Sequence, residues 1–181
     1  MNSTIAFDFA ERQPYRNAVP VLDLLDLPAA CPPGTPWMGL DLGEATIGVA
    51  VSDTSRMIAS PLELIRKTKF TADAERLLRL MDGRRVSALV IGLPMNMDGS
   101  EGPRAQSVRA FARNLERLRT VSVAFWDERL STSAVERFLI GELDLSRKRR
   151  AGVVDRTAAA WILQGALDRL RGASLMGGGD L

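Results

Sequence analysis

Between Val86 and Leu93 the chain reads VSALVIGL, apolar almost without a break. A strand with one wet face alternates apolar and polar residues. A run this uniform is expected where both faces of a sheet are covered, so helices must pack above and below it. The neighbouring segments supply those layers. Trp37 to Leu42 and Thr46 to Ser52 are apolar runs joined at Gly43-Glu44-Ala45, a hairpin signature. Met57 to Ile65 is a third strand, and Ser60-Pro61 within it marks an edge or a bulge. Thr71 to Met81 places Ala74, Leu77, Leu78 and Met81 on one helical face, with Gly83 as the expected stop. Pro103 to Leu118 is a helix with proline in its first turn. Val121 to Trp126 is a strand, Ser131 to Leu139 a helix, and Val154 to Leu170 a final helix with an alanine-rich start.

The order is three strands, then helix–strand–helix–strand–helix–helix. An antiparallel meander feeding β-α-β crossovers gives an α/β fold with a mixed five-stranded sheet flanked by helices. That order is the one of the RNase H-like fold. Residues 1–36 stand apart: they are proline-rich (Pro14, Pro20, Pro28, Pro32, Pro33, Pro36) and are expected to be an extension, partly disordered or lying along the surface. The domain proper is expected over 37–171, followed by a glycine-rich tail over 172–181.

The sequence contains no histidine, which removes His-based triads, His-ligated zinc and imidazole general bases together. A single cysteine, Cys31, excludes an internal disulfide and a cysteine zinc site. Hydrolytic chemistry must then rest on carboxylates, hydroxyls, Lys/Arg or bound metal. The net charge of +2 is only mildly basic. Nearly all positive charge is arginine, whose planar fork suits phosphate oxygens, and Lys67, Lys69 and Lys148 are the only lysines. No apolar run approaches a membrane span, and the N-terminus lacks a signal-peptide pattern, so a cytoplasmic protein is expected.

Four places are candidates for chemistry. Asp41, in Gly39-Leu40-Asp41-Leu42-Gly43, is a carboxylate on an otherwise apolar strand. It is costly to bury unless it meets a cation or several donors. A turn Asp capping the hairpin is the plain alternative. Gly92-Leu93-Pro94-Met95-Asn96-Met97-Asp98-Gly99-Ser100-Glu101-Gly102-Pro103-Arg104 carries a buried strand into a polar loop and a helix N-terminus, a setting suited to phosphate. Asn96, Ser100 and Arg104 are its candidate substrate contacts, against a plain loop with Ser100 as helix cap. Asp127 and Glu128 adjoin at a strand end, before Arg129. Neighbours on a strand point to opposite faces, so one is expected at a site and the other paired with Arg129 or the helix start. Asp155, in Val154-Asp155-Arg156-Thr157, is a functional candidate or a first-turn helix cap. The basic run Arg147 to Arg150 before it reads as a solvated loop or a nucleic-acid contact. Acids on the first strand, the fifth strand and the last helix can converge at one sheet edge. Three carboxylates without histidine describe an oxygen site for Mg²⁺ or Mn²⁺.

At GLDLGEATIGVAVSD from Gly39, VIGLPMNMDGSEGPRAQ from Val90, WDERLSTSAVERFL from Trp126 and VVDRTAAAWILQ from Val153, the chain closely resembles the YqgF/RuvX family. These are the Holliday junction resolvase-like proteins also described as pre-16S ribosomal RNA nucleases. The segments span about Trp37 to Leu170. The resemblance implies catalytic and metal-binding roles for Asp41, Asp155 and Glu128, with Asp127 as the alternative to Glu128. Asn96, Ser100, Arg104 and Arg129 are then the expected substrate contacts. It implies Mg²⁺ or Mn²⁺ as cofactor and work in the cytoplasm on the 5′ end of precursor small-subunit ribosomal RNA, as a monomer or homodimer. Resolution of DNA junctions and non-catalytic ribosome assembly are the alternatives. In related resolvases the middle acid lies on the strand corresponding to Val86–Leu93. Here that strand ends in Gly92 and Leu93, and an acid from the following strand has to stand in.

Overall fold

The computed structural model describes residues 21–130 and 147–177, with side chains in the last segment from Thr157 onward. The strands are β1 (Trp37–Leu42), β2 (Thr46–Ser52), β3 (Ala59–Arg66), β4 (Ala88–Leu93) and β5 (Ser122–Asp127). The helices are α1 (Phe70–Arg84), α2 (Pro103–Leu118) and α3 (Arg147–Gly177), with a single 3-10 turn over Glu128–Leu130. The sheet has five strands in the order β3-β2-β1-β4-β5. β1, β2 and β3 pair antiparallel, while β1, β4 and β5 run parallel. This is the RNase H-like arrangement that the element order predicts.

The alternation of residues along each strand decides which helix can cover which face. One face carries Met38, Leu40, Ile47, Val49, Val51, Leu89, Ile91, Leu93 and Val123. It packs against Ala74, Leu77 and Met81 of α1 and Ala105, Val108, Ala112 and Leu115 of α2. The opposite face is built of smaller groups, among them Ala50, Ala88, Val90 and Ala124, and receives Ala159, Ile162, Leu163, Ala166 and Leu167 of α3. Gly39 is where α3 comes closest. A Cβ there would sit 2.6 Å from the Ala159 carbonyl oxygen and 2.7 Å from the Leu163 Cβ. The exchange recurs in reverse at Gly165, where the Trp126 ring would meet a Cβ at 2.8 Å. Glycine is needed at both places because backbone or ring already fills the space of a side chain.

β4 is buried along its whole length, as a strand with helices on both sides must be. β3 lies at the sheet edge, and its pairing with β2 shifts register between Val49 and Ala50, opposite the Pro61 region. The expected edge and bulge are both present. The strand begins at Ala59 rather than Met57, because Asp53 draws the Met57 and Ile58 amides to its carboxylate at 2.7 and 2.9 Å and closes a turn there.

Other boundaries differ from the sequence reading. α1 runs through Gly83 to Arg84 and stops at Arg85, a non-glycine residue in the left-handed region (φ 54°), whose amide and the next return to Asp82 and Met81 carbonyls. α3 starts at Arg147, not Val154, so the basic run is helical rather than a loop. Asp155 therefore lies in the interior of that helix, and the first-turn cap reading does not hold. The same helix continues through Gly172 to Gly177, into the expected tail. The helix expected over 131–139 lies outside the described residues.

The described part of the N-terminal extension is not peripheral. Leu22 bridges in parallel to Ala124, its amide donating to the Val123 carbonyl at 2.9 Å, so it lies along the outer edge of β5. Leu27 is fully buried and Cys31 nearly so, in the cluster with Trp37, Ala88, Trp126 and Leu167.

Candidate active site

Strand parity assigns the acids to faces. Asp41 shares its side of β1 with Trp37 and Gly39, the α3 side, and sits opposite Gly48 of β2 near the strand end. On β5, Trp126 belongs to the α3 side, whereas Phe125 packs on the other. Asp127, the last strand residue, has the parity of Phe125. Glu128 follows in the 3-10 turn, and its carboxylate returns to the α3 side. There it lies on β4 at Gly92, where a Cβ would be 2.6 Å from Glu128 Oε1 and 2.6 Å from Ile162 Cδ1. The acid from the end of β5 thus occupies the space a side chain on β4 would take.

The electrostatics separate the adjoining acids. Asp127 is held by Arg129 in a two-pronged ion pair, Nε to Oδ1 at 3.0 Å and Nη2 to Oδ2 at 2.6 Å, which keeps its carboxyl below the usual range. Glu128 is pushed up to about 7, first by burial and then by the charge of Asp41, with Arg104 opposing. Asp41 and Glu128 are therefore within each other's field on one face. Arg104, exposed in the first turn of α2, acts on the same place.

Lys67 completes this group and escapes the sequence reading. It follows β3, is half-buried, and donates from Nζ to the Gly43 carbonyl in the β1–β2 hairpin. Burial lowers its pKa, while the charges of Asp73 and Asp41 oppose that and Arg104 adds to it. Nothing in the local sequence around Lys67 marks it. Only the β2–β3 pairing brings it beside the hairpin.

The loop between β4 and α2 is closed upon itself. Met95 and Glu101 form an isolated antiparallel bridge, the Asn96 amide donates to the Ser100 carbonyl at 2.9 Å, and the Gly99 amide donates to the Asn96 carbonyl at 2.9 Å. The Ser100 amide and hydroxyl donate to Asp98 Oδ1 at 2.9 and 2.6 Å, and Asn96 Nδ2 donates to Ser100 Oγ at 2.9 Å. Gly99, with φ of 84°, occupies the left-handed position the turn requires. Arg129 Nη1 reaches across to the Asn96 and Met97 carbonyls at 3.3 and 3.4 Å. Asn96, Ser100 and Arg129, expected as substrate contacts, thus brace the loop. Gly102, not Ser100, is the N-cap of α2, and no side chain caps that helix. Arg109 is drawn to Glu101 and stacks over Phe125 at 4.6 Å.

Among the described residues no group of three or more acids, cysteines or histidines is assembled for a metal. Asp155 lies on the described backbone of α3, and its side chain is outside the described residues. No described helix is long and apolar enough to cross a membrane.

Sheet order, covering helices and the paired acids at the ends of β1 and β5 define an RNase H-like domain with an acidic site on its α3 face. The chain belongs to the RuvX family, whose model, described as "Holliday junction resolvase", matches residues 35–169. It is 70% identical over 152 residues to a protein of Phenylobacterium zucineum named "Putative pre-16S rRNA nuclease", covering 83% of this chain and 97% of that one. A Caulobacter vibrioides protein of the same name is 63% identical over 155 residues, covering 85% and 99%. Among solved structures, "T. thermophilus RuvC in complex with Holliday junction substrate" aligns at 14% identity and a TM-score of 0.49, covering 75% of this chain and 96% of that one.

Proposed function

We propose that this chain is a metal-dependent nuclease that works in the cytoplasm on precursor small-subunit ribosomal RNA, with Asp41, Glu128 and Asp155 as its catalytic acids. The observation that carries the reading is Glu128 folded onto β4 at Gly92, on the α3 face that Asp41 shares and within reach of its charge. Glu128, raised to about 7 first by burial and then by the charge of Asp41, sits in a site with excess negative charge. Such a site is what a divalent cation relieves, and the donors are all hard oxygens, as Mg²⁺ or Mn²⁺ prefers. The residues therefore fit the cation that the family resemblance implies. Asp155 supports the assignment by register: it stands one helical turn before Ala159, the residue whose carbonyl meets Gly39 two positions before Asp41.

When bound there, the cation would polarise the scissile phosphodiester and offset the charge that develops on the leaving oxygen. The chain's own groups do the rest. Asp41 on β1 and Glu128 just past the end of β5 fix the acidic floor at a spacing the sheet sets. Arg104 and the uncapped N-terminus of α2 present positive charge to the phosphates on either side. The Asp127–Arg129 pair engages the second acid, whose charge then acts on Glu128 less than that of Asp41 does.

The test is cleavage of a precursor small-subunit RNA beside a four-way DNA junction, in Mn²⁺, Mg²⁺ or EDTA. Asp41→Asn is expected to lower metal-dependent cleavage of the RNA by about a hundredfold or more, the scale of losing one preorganised charge at a transition state, while RNA binding persists. Cleavage at the wild-type rate by that variant would refute the site. The family's description favours junctions as a second reading, and preferential cutting of the junction would support it. RNA binding with no metal-dependent cutting of either substrate would mark an assembly factor instead.

A further inference from the structure

One large apolar side chain at the rim of this site has no place in the chemistry above. Met97 is 92% exposed at the apex of the β4–α2 loop. A single exposed apolar residue on a protein surface is ordinary. What sets this one apart is how firmly its backbone is held and where. The loop around it is pinned by the Met95–Glu101 bridge, by the Asn96–Ser100 and Gly99–Asn96 backbone bonds, and by the Asp98 carboxylate. Arg129 then fastens the Met97 carbonyl to Asp127, and Asp127 adjoins Glu128. The apex is thereby tied to the strand end that carries the proposed catalytic acid. Arg104, whose charge reaches Glu128, stands in the helix that the loop leads into.

We propose that Met97 is a wedge that enters the stack of a structured nucleic acid next to the bond to be cut and opens it toward the acidic face. The inference rests on the proposed nucleic-acid substrate. In the proposed complex, phosphates held by Arg104 and the α2 N-terminus would leave bases of the same strand beside the loop that leads into that helix. An unbranched thioether is slim and polarisable enough to slide between bases and contact their faces. Apolar side chains used in this way partly unstack a step, and the cost is met by the contacts that the opened strand gains. The loop's bracing serves that job, since a wedge on a yielding loop would fold back before it parted the bases. The partner this surface fits is a base-paired or stacked strand, not an already open one.

The experiment compares Met97→Ala and Met97→Leu with wild type on two RNAs of the same sequence around the cleavage site, one held in a hairpin and one unstructured. Met97→Ala is expected to cut the hairpin about tenfold more slowly, the scale of one lost unstacking contact, and the open strand at the wild-type rate. Met97→Leu should restore most of the hairpin rate. In parallel, 2-aminopurine placed beside the cleavage site in the hairpin is titrated with Asp41→Asn protein, which binds without cutting. Its fluorescence should rise, and the rise should vanish when Met97→Ala is added to that background. Equal rates of Met97→Ala and wild type on the hairpin, or an unchanged fluorescence rise, would overturn the wedge while leaving the nuclease standing. If the wild type cuts neither RNA, the nuclease reading fails, and the fluorescence arm still decides the wedge.

Discussion

Glu128 makes its own pH signature. Its carboxyl is raised to about 7 in the folded chain from an ordinary value of 4.5, with burial the larger cause and Asp41 the next. The folded state then holds the proton more tightly than the unfolded one. Stability from this group is complete below about pH 4.5 and is lost as pH rises through 7. The full linkage would be about 3 kcal/mol, and solvent screening of this partly exposed group reduces it to about 1 kcal/mol. Glu128→Gln removes the loss, so in EDTA at pH 8 the variant should melt a few degrees above wild type. At pH 4 the two should coincide. Thermal unfolding between pH 4 and 8 checks this, and parallel curves would contradict it. At this scale the sequence was legible for the position of Asp41, a lone acid on an apolar strand, which the structure has on β1 as expected. It left Asp127 and Glu128 open, because parity tells only that neighbours diverge. Which acid faces α3 depends on the strand ending at Asp127 and on Gly92 leaving room. Lys67 was invisible because its role comes from a strand pairing, not from its neighbours.

At the scale of elements, the glycine contacts predict substitutions of opposite sign. Gly39→Ala places a methyl against the Ala159 carbonyl and the Leu163 Cβ. It should cost about 1–3 kcal/mol as α3 is lifted from the sheet. Gly83→Ala meets nothing within 4 Å and lies within α1. It should gain about 0.5–1 kcal/mol, since glycine is a poor helix residue. Urea unfolding of both variants measures the contrast, and a stable Gly39→Ala would show that α3 is not seated as described. The same contrast explains what the sequence concealed about boundaries. Strands β1 and β2 and helix α2 have the starts and ends expected of them, set by alternation, hairpin chemistry and Pro103. Gly83 was a plausible stop, yet the helix carries it and ends at Arg85, because the backbone bonds back to Asp82 and Met81 decide the cap. The long start and finish of α3 lack any apolar stripe, so periodicity could not reveal them.

For the whole molecule, the core extends beyond the family's matched residues 35–169. Leu27 is fully buried in the cluster under α3, before that span begins. Leu27→Ala should cost about 2–5 kcal/mol, measured by denaturant midpoint at constant slope, and a neutral effect would mean that this segment is dispensable padding. Proline content suggested an appendage, and composition could not show that one leucine and one cysteine would be drawn into the interior. The bridge from Leu22 to Ala124 has a consequence for solubility. Open strand edges invite other chains to add on and seed fibrous aggregates. Here a bridge from Leu22 interrupts the β5 edge at Ala124, and the β3 edge is blunted by Pro61 and a register shift. Among the described residues, neither side of the sheet offers an unbroken template. Among other chains with unpaired strands, such a molecule would keep its own sheet without being stitched into theirs.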